Sequence, residues 1–552
     1  MAGDGNDDVA SDLLRLTAVL GDAGQLLGDI DRLAAVQAEA AVRRPALYMA
    51  LVNHYVLCLN AVVSFGTDDS CLKPYRQALE RGAAKGVFLV TEVGRAGSHL
   101  GARTTAEFDF TTREFVLDTP DTDALKFSSV TPGGPPTFGA VVARAVVEGV
   151  DRGTFTFLVD LTDGERAAPG VELSGPLAAS ALPLEYGLIR FRNCRVPYGR
   201  WLSDGAWIEP DGRFTDPVGS PGARLRRTMS VGQALWATVP SAMAAMSRRA
   251  AVSALRFAER RTTPSGEPLL AHLTHRRALL GALSGAYALT GAAEAALAAW
   301  RRRASGSAAA QDAFSPWVAV DASLALLKAA STEEAVRVVE VCRRHCGLAG
   351  FLDVNLVEGY LGAAQAFTVA GGDNALILLD TGRAALGAVG EQPVIPGDLT
   401  DPGWWPGVAR AHELRLAADA VPGNLRRLKE LGEARAATLL AGVLADHPLG
   451  VLFGLLQADR AAGCLVATGV LGPDDVRALP EAIDRLCEEL TPQLDDLITE
   501  LDVPGAAPPL GAQDYATSLW DHFANSFARG SRTTTSHGNS TLSSTSLSRR
   551  VT

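Results

Sequence analysis

The chain has 552 residues, 47% hydrophobic and 20% charged, with a formal net charge of -11. Such a chain reads as a soluble globular protein of three or four domains with a large core. The negative balance argues against nucleic acid or an anionic membrane as the main partner.

Residues 1–12 are acidic and polar, with neither a basic start nor an apolar core, so no secretory leader is expected. Residues 13–89 read as an N-terminal helical domain. Leu13, Leu14, Leu16, Val19 and Leu20 recur at helical spacing, as do apolar residues in 34–41 and 46–63. Residues 90–200 change to period two: Phe108, Phe110, Phe115 and Leu117, then 155–159 and 188–191. Asp118-Thr119-Pro120 and the run Thr131 to Pro136 break these strands. This middle β domain is expected to be a barrel or a sandwich. Ala/Leu/Arg-rich helical patterns return over 224–303 and 313–348, within a first C-terminal helical domain spanning 224–390. A second and shorter one, 407–528, has helices over 408–447, 449–468 and 480–501. Residues 529–552 are Ser/Thr-rich and read as a disordered tail.

Seven cysteines are scattered along the chain, which fits free thiols in a reducing cytoplasm. Cys342 and Cys346 flank His345, but no second ligand cluster accompanies them, so no metal is expected. Apolar runs 439–444 and 449–456 are separated by polar residues and a proline, so no membrane-spanning length is expected. The end, Arg550-Val551-Thr552, is not a peroxisomal address. The expected location is cytoplasmic.

Several tracts, in order, carry a resemblance. They are Phe65-Gly66-Thr67, Val90-Thr91-Glu92-Val93-Gly94, Thr104-Thr105-Ala106-Glu107-Phe108-Asp109 and Arg113-Glu114-Phe115-Val116-Leu117. Further on stand Lys126-Phe127 with Pro132-Gly133-Gly134, Gly187 to Phe191 with Arg195-Val196-Pro197, and Cys346-Gly347-Leu348-Ala349-Gly350-Phe351. The last is Phe367 to Leu376, which contains Gly371-Gly372-Asp373-Asn374. Together, over about residues 50 to 390, they resemble the acyl-CoA oxidase and dehydrogenase family. The resemblance implies an α+β fold: an N-terminal helical domain, a middle β domain and C-terminal helical bundles. It also implies FAD, an acyl thioester substrate and a homodimer, with no nucleic-acid or membrane partner.

Site residues carry over one by one. Thr91 resembles the family residue whose hydroxyl meets the flavin near N5, though a strand Thr needs no such role. Gly133 resembles a glycine that lets a loop lie against the cofactor, and Pro-Gly-Gly is also an ordinary turn. Gly347 and Gly350 open the turn that approaches the adenosine diphosphate half of a partner-bound FAD, or simply stop a helix. Arg260 resembles an arginine that reaches FAD phosphate, or is a solvated helix-end charge.

The catalytic loop departs from the pattern. The family's base is a Glu, and its place falls on Gly371 or, with one residue inserted, on Ala370. Neither side chain accepts a proton. An alternative family position for the acid, 229–234, holds none. Asp373 is the nearest carboxylate, either a displaced base or the N-cap of the next helix. The expected function is therefore α,β-oxidation of an acyl thioester, carried by CoA or a carrier protein, with an atypical base. Two alternatives stay open: a flavin monooxygenase of secondary metabolism on the same scaffold, and a catalytically inactive homologue.

Overall fold

The structure is a computed structural model and describes residues 6–95, 101–179, 181–302, 321–444, 446–503 and 509–530. The chain opens with helices α1 (Asn6–Leu20), α2 (Ala23–Gly28), α3 (Ile30–Arg43) and α4 (Pro45–Leu51). A π-helical stretch, Val52–Leu59, continues into α5 (Asn60–Phe65), and α6 (Asp69–Glu80) follows. Aspartates start α2 and α3: Asp22 accepts from the Gln25 amide at 2.8 Å and Asp29 from the Arg32 amide at 3.0 Å. The helical reading of 13–89 runs too far, because its last five residues form strand β1 (Lys85–Leu89). Val87, Phe88 and Leu89 are all buried, and a short apolar run looks alike in a buried helix and a buried strand.

The β domain then spans β2 (Thr105–Asp109), β3 (Glu114–Asp118), β4 (Lys126–Ser128), β5 (Thr137–Val147) and β6 (Val150–Thr162). It continues through β7 (Val171–Leu173), β8 (Gly187–Phe191), β9 (Cys194–Pro197), β10 (Trp201–Leu202), β11 (Trp207–Ile208) and β12 (Phe214–Thr215), beyond the expected limit at 200. The large sheet runs β10-β6-β5-β2-β3-β9, with β1 parallel to β5; β4-β8-β7 form a smaller sheet. Phe115 and Phe157 of the large sheet share one core with Ile189 and Phe191 of the small one, which is the sandwich arrangement. The longest pairing, β5 with β6, turns at Glu148 and Gly149, both with positive φ (52° and 72°).

The second helical half holds α7 (Pro221–Met229), α8 (Gly232–Arg260), α9 (Leu273–Arg302), α10 (Ala322–His345), α11 (Val357–Val369) and α12 (Asn374–Ala384). After these come α13 (Trp404–Asp419), α14 (Leu425–Ala441), α15 (Pro448–Ala467), α16 (Pro473–Leu490), α17 (Leu494–Glu500) and α18 (Tyr515–Gly530). The single helical span expected over 408–447 is two helices, broken at Pro422-Gly423 where a helix cannot continue. Residues 529 and 530 belong to α18, and the rest of the expected tail lies outside the described residues.

Two helical stretches are long and apolar enough to cross a membrane, contrary to the expectation from uninterrupted runs. They are Pro45–Phe65, 72% buried, and Pro448–Ala467, 44% buried. Their polar interruptions, such as Asn53 and His54 in the first, sit inside the helix. The His54 ring accepts the Gly86 amide at 2.9 Å, which ties this helix to β1.

Candidate active site

The loop between α11 and α12 is the centre of the site. α11 ends at Val369, and Ala370 leaves it in extended conformation, exposed. Gly371 and Gly372 then take positive φ, 69° and 97°, which only glycine adopts without strain. A Cβ on Gly371 would also stand 2.5 Å from a methyl of Leu235. The two glycines turn their carbonyls into the bundle. The Trp236 indole donates to the Gly371 carbonyl at 2.9 Å, and the Lys328 ammonium donates to the Gly372 carbonyl at 2.6 Å.

Asp373 follows as the N-cap of α12 and accepts from the Ala375 amide at 2.8 Å. The capping reading of Asp373 is thus what the geometry displays; its carboxylate turns to its own helix. Asn374 is buried. It accepts from Lys328 at 3.0 Å and donates to the Thr332 hydroxyl at 2.9 Å and to Glu333 at 3.0 Å. Lys328 is fully buried on α10, and that burial pushes its ammonium down to about 7, against the opposing pull of Asp373 and Glu333.

Thr91 is half-buried just after β1, and its hydroxyl has no partner among the described residues. Its neighbour Glu92 anchors the tract. The Glu92 carboxylate, buried, meets the Lys126 ammonium at 3.0 Å and accepts from the amides of Arg103 (2.8 Å) and Thr104 (2.9 Å) and from the Thr104 hydroxyl (2.7 Å). Burial alone would raise its pKa, but the Lys126 charge and these bonds hold it below the ordinary carboxylate value. Gly133 sits at an exposed turn with φ 81°, where a Cβ would meet nothing; the turn itself requires the glycine.

A cavity of about 490 Å3 opens at the end of α10. Arg261, His275, Arg344, His345, Gly347 and Leu348 line it. Gly347, φ 57°, ends the helix and forms part of this wall. Gly350 serves packing: a Cβ there would overlap the Arg343 carbonyl. Arg260 is placed elsewhere. It donates to the carbonyls of Gly511 (3.1 Å) and Ala512 (2.7 Å), while its neighbour Arg261 lines the cavity. Arg260 ends α8 and Arg261 follows as its extended C-cap, so the two neighbours differ in backbone as well as in contacts. Leu348 and Phe351 beside the cavity are large, apolar and exposed (79% and 53%).

The candidate residues thus stand on one bundle: Trp236 on α8 with Arg261 just past its end, and α10 with Lys328 and the cationic turn. The model of the acyl-CoA oxidase C-alpha1 domain matches residues 234–386, which spans the bundle and its loop. This bundle is acyl-CoA oxidase-like. The chain is 26% identical over 524 residues to acyl-coenzyme A oxidase 3 of Yarrowia lipolytica, covering 80% of this chain and 72% of that protein. It is 24% identical over 353 residues to acyl-coenzyme A oxidase 1 of Drosophila melanogaster, 62% of this chain and about half (51%) of that one. The chain superposes on crystalline acyl-CoA oxidase 3 of Y. lipolytica with a TM-score of 0.70 at 20% identity, over 98% of this chain and 94% of the other. It matches acyl-CoA oxidase-1 of Caenorhabditis elegans, solved with FAD and ATP, at 0.70 and 18% identity, over 95% and 90%. At those identities the superpositions show the fold alone.

Sequence reading missed Lys328, Trp236 and the His275–His345 pair. For Lys328 a signal exists: it is the one charge in Leu324-Ala325-Leu326-Leu327-Lys328-Ala329-Ala330, where a lysine needs a buried partner.

Proposed function

We propose that the protein is an FAD-dependent oxidoreductase of acyl thioesters that works as a homodimer in the cytoplasm. The observation that carries this reading is the loop of α11–α12. Its capping Asp373, its buried Asn374 and its clamped carbonyls hold the loop in one shape, although no carboxylate stands at 370 or 371.

The residues fit FAD. The cavity by Gly347 supplies two arginines and two histidines for a pyrophosphate, with Leu348 as an apolar wall. The exposed Leu348 and Phe351 suit contact with a second copy. Thr91 offers a free hydroxyl for the ring system. When bound, FAD accepts the hydride that leaves the acyl β-carbon. The chain's own part is to hold the thioester, polarise its carbonyl with loop amides and exclude water. With no side-chain base at the loop, the substrates it serves best have an α-proton already acidified by an electron-withdrawing α-substituent, such as an α-aryl group, while the β-carbon keeps the hydrogen that leaves as hydride.

The absent carboxylate also favours a second reading, a flavin- and acyl-binding subunit without turnover. Purified protein should carry FAD, and its absorbance band should shift on addition of acyl-CoA. A chain that neither retains nor takes up FAD would overturn both readings. Replacing the cavity cations tests the cofactor site separately. R261A and R344A should each weaken FAD binding roughly 10- to 100-fold, the worth of one charge-assisted hydrogen bond, as measured by equilibrium dialysis. R260A should leave binding unchanged, because Arg260 holds the 511–512 segment.

A further inference from the structure

Three features of the loop stand together. Both glycine carbonyls are taken by side chains from the bundle, Gly371 by Trp236 and Gly372 by Lys328. The amides of Gly371, Gly372 and Asp373 donate to no acceptor among the described residues. The lysine that holds the second carbonyl is fully buried, a costly place for a cation in a protein that keeps most of its charges at the surface.

In a trans peptide the carbonyl and the following N–H point in opposite directions. Pulling the Gly371 carbonyl onto Trp236 therefore turns the Gly372 amide away from α8. Pulling the Gly372 carbonyl onto Lys328 turns the Asp373 amide away from α10. Both residues are glycines, whose lack of a Cβ leaves many backbone conformations open, so little within the loop backbone itself fixes these peptide planes. The clamps must do so.

We propose that Lys328 is a positioning residue: with Trp236 it fixes the Gly371–Gly372 and Gly372–Asp373 peptide planes, and with them the direction in which the loop amides can donate to a thioester carbonyl. This rests on the thioester reading above and deepens it. Lys328 touches the loop, not the substrate. Its second bond, to Asn374, ties the same clamp to the start of α12, and Asn374 passes the restraint on to Thr332 and Glu333 of α10. The loop is thereby held from both sides of the bend. A buried lysine is well chosen for this, because an ammonium can donate to both oxygens at once and the charge strengthens each bond. Asp373 from α12 and Glu333 from α10 are the charges that act on it, and both favour its protonated form.

The test uses octanoyl-CoA labelled with carbon-13 at the thioester carbonyl, bound to the FAD-loaded protein and read by difference infrared spectroscopy. Wild type should shift the carbonyl stretch to lower frequency. K328M should lose that shift while retaining FAD, and kcat/KM should fall roughly 10- to 100-fold, a part of what an oxyanion donor is worth. W236F should lose part of the shift, and it carries the test if K328M does not fold. An unchanged stretch in a folded K328M, or in W236F where K328M cannot be made, overturns the role of Lys328. Wild type that binds no octanoyl-CoA overturns the thioester reading instead, and the proposal with it.

Discussion

Placing a carboxylate at position 370 is expected to raise acyl-CoA dehydrogenation by about 10²- to 10⁴-fold, the usual contribution of a positioned general base. The same substitution at 371 is expected to raise nothing. The two positions differ in backbone and space. Ala370 is extended with ordinary φ (-75°) and exposed, so A370E adds a side chain without strain. Gly371 has φ 69°, and its Cβ would lie 2.5 Å from Leu235. G371E must strain the backbone and push Leu235 aside, at roughly 1–3 kcal/mol for the overpacking alone. Anaerobic stopped-flow reduction of bound flavin by acyl-CoA measures both variants. Equal inactivity of A370E would show that more than a base has been lost, and activity in G371E alone would show that the loop is differently arranged.

The second large effect lies at the tract beside Thr91. K126M is expected to destabilise the protein by about 3–5 kcal/mol, because it leaves the Glu92 carboxylate buried without its charge partner. Denaturant unfolding reads this directly, and a loss under about 1 kcal/mol would mean that water reaches Glu92. The acid limb follows from the same group. The folded pKa of Glu92 lies below its unfolded value, so its contribution is complete above the unfolded carboxylate range, near 4.3, and is lost as pH falls through the folded pKa. Wild type should therefore lose stability on acidification below about pH 4, and E92Q should lose less over that interval.

Much of this was legible in the chain, and the limits are physical. The order helices, β domain, helices followed from a change of period between residues 89 and 90, yet the boundary was missed because Val87, Phe88 and Leu89 fit either period. Strand β5 was passed over because Thr137–Val147 is buried along most of its length and shows little alternation. The capping role of Asp373 could be read from its place before an apolar helix. The separate placing of Arg260 and Arg261 could not, since it depends on where α8 ends and on the 511–512 segment that packs there. Lys328 acts across 44 residues on Gly372, and contacts at that separation leave no local pattern. Position 371 against 370 also needed the structure, since only φ and the Leu235 contact separate them.

The most direct test of the account is an anaerobic titration of the FAD-loaded protein with acyl-CoAs that range from unsubstituted saturated chains to α-aryl chains, all with a hydrogen on the β-carbon, followed by absorbance. The account predicts binding by all, slow or no bleaching with unsubstituted saturated chains, and clear bleaching where the α-proton is acidified. Rapid bleaching by an unsubstituted saturated acyl-CoA would contradict the missing base. Bound flavin that stays oxidised with every thioester would contradict the oxidoreductase reading itself.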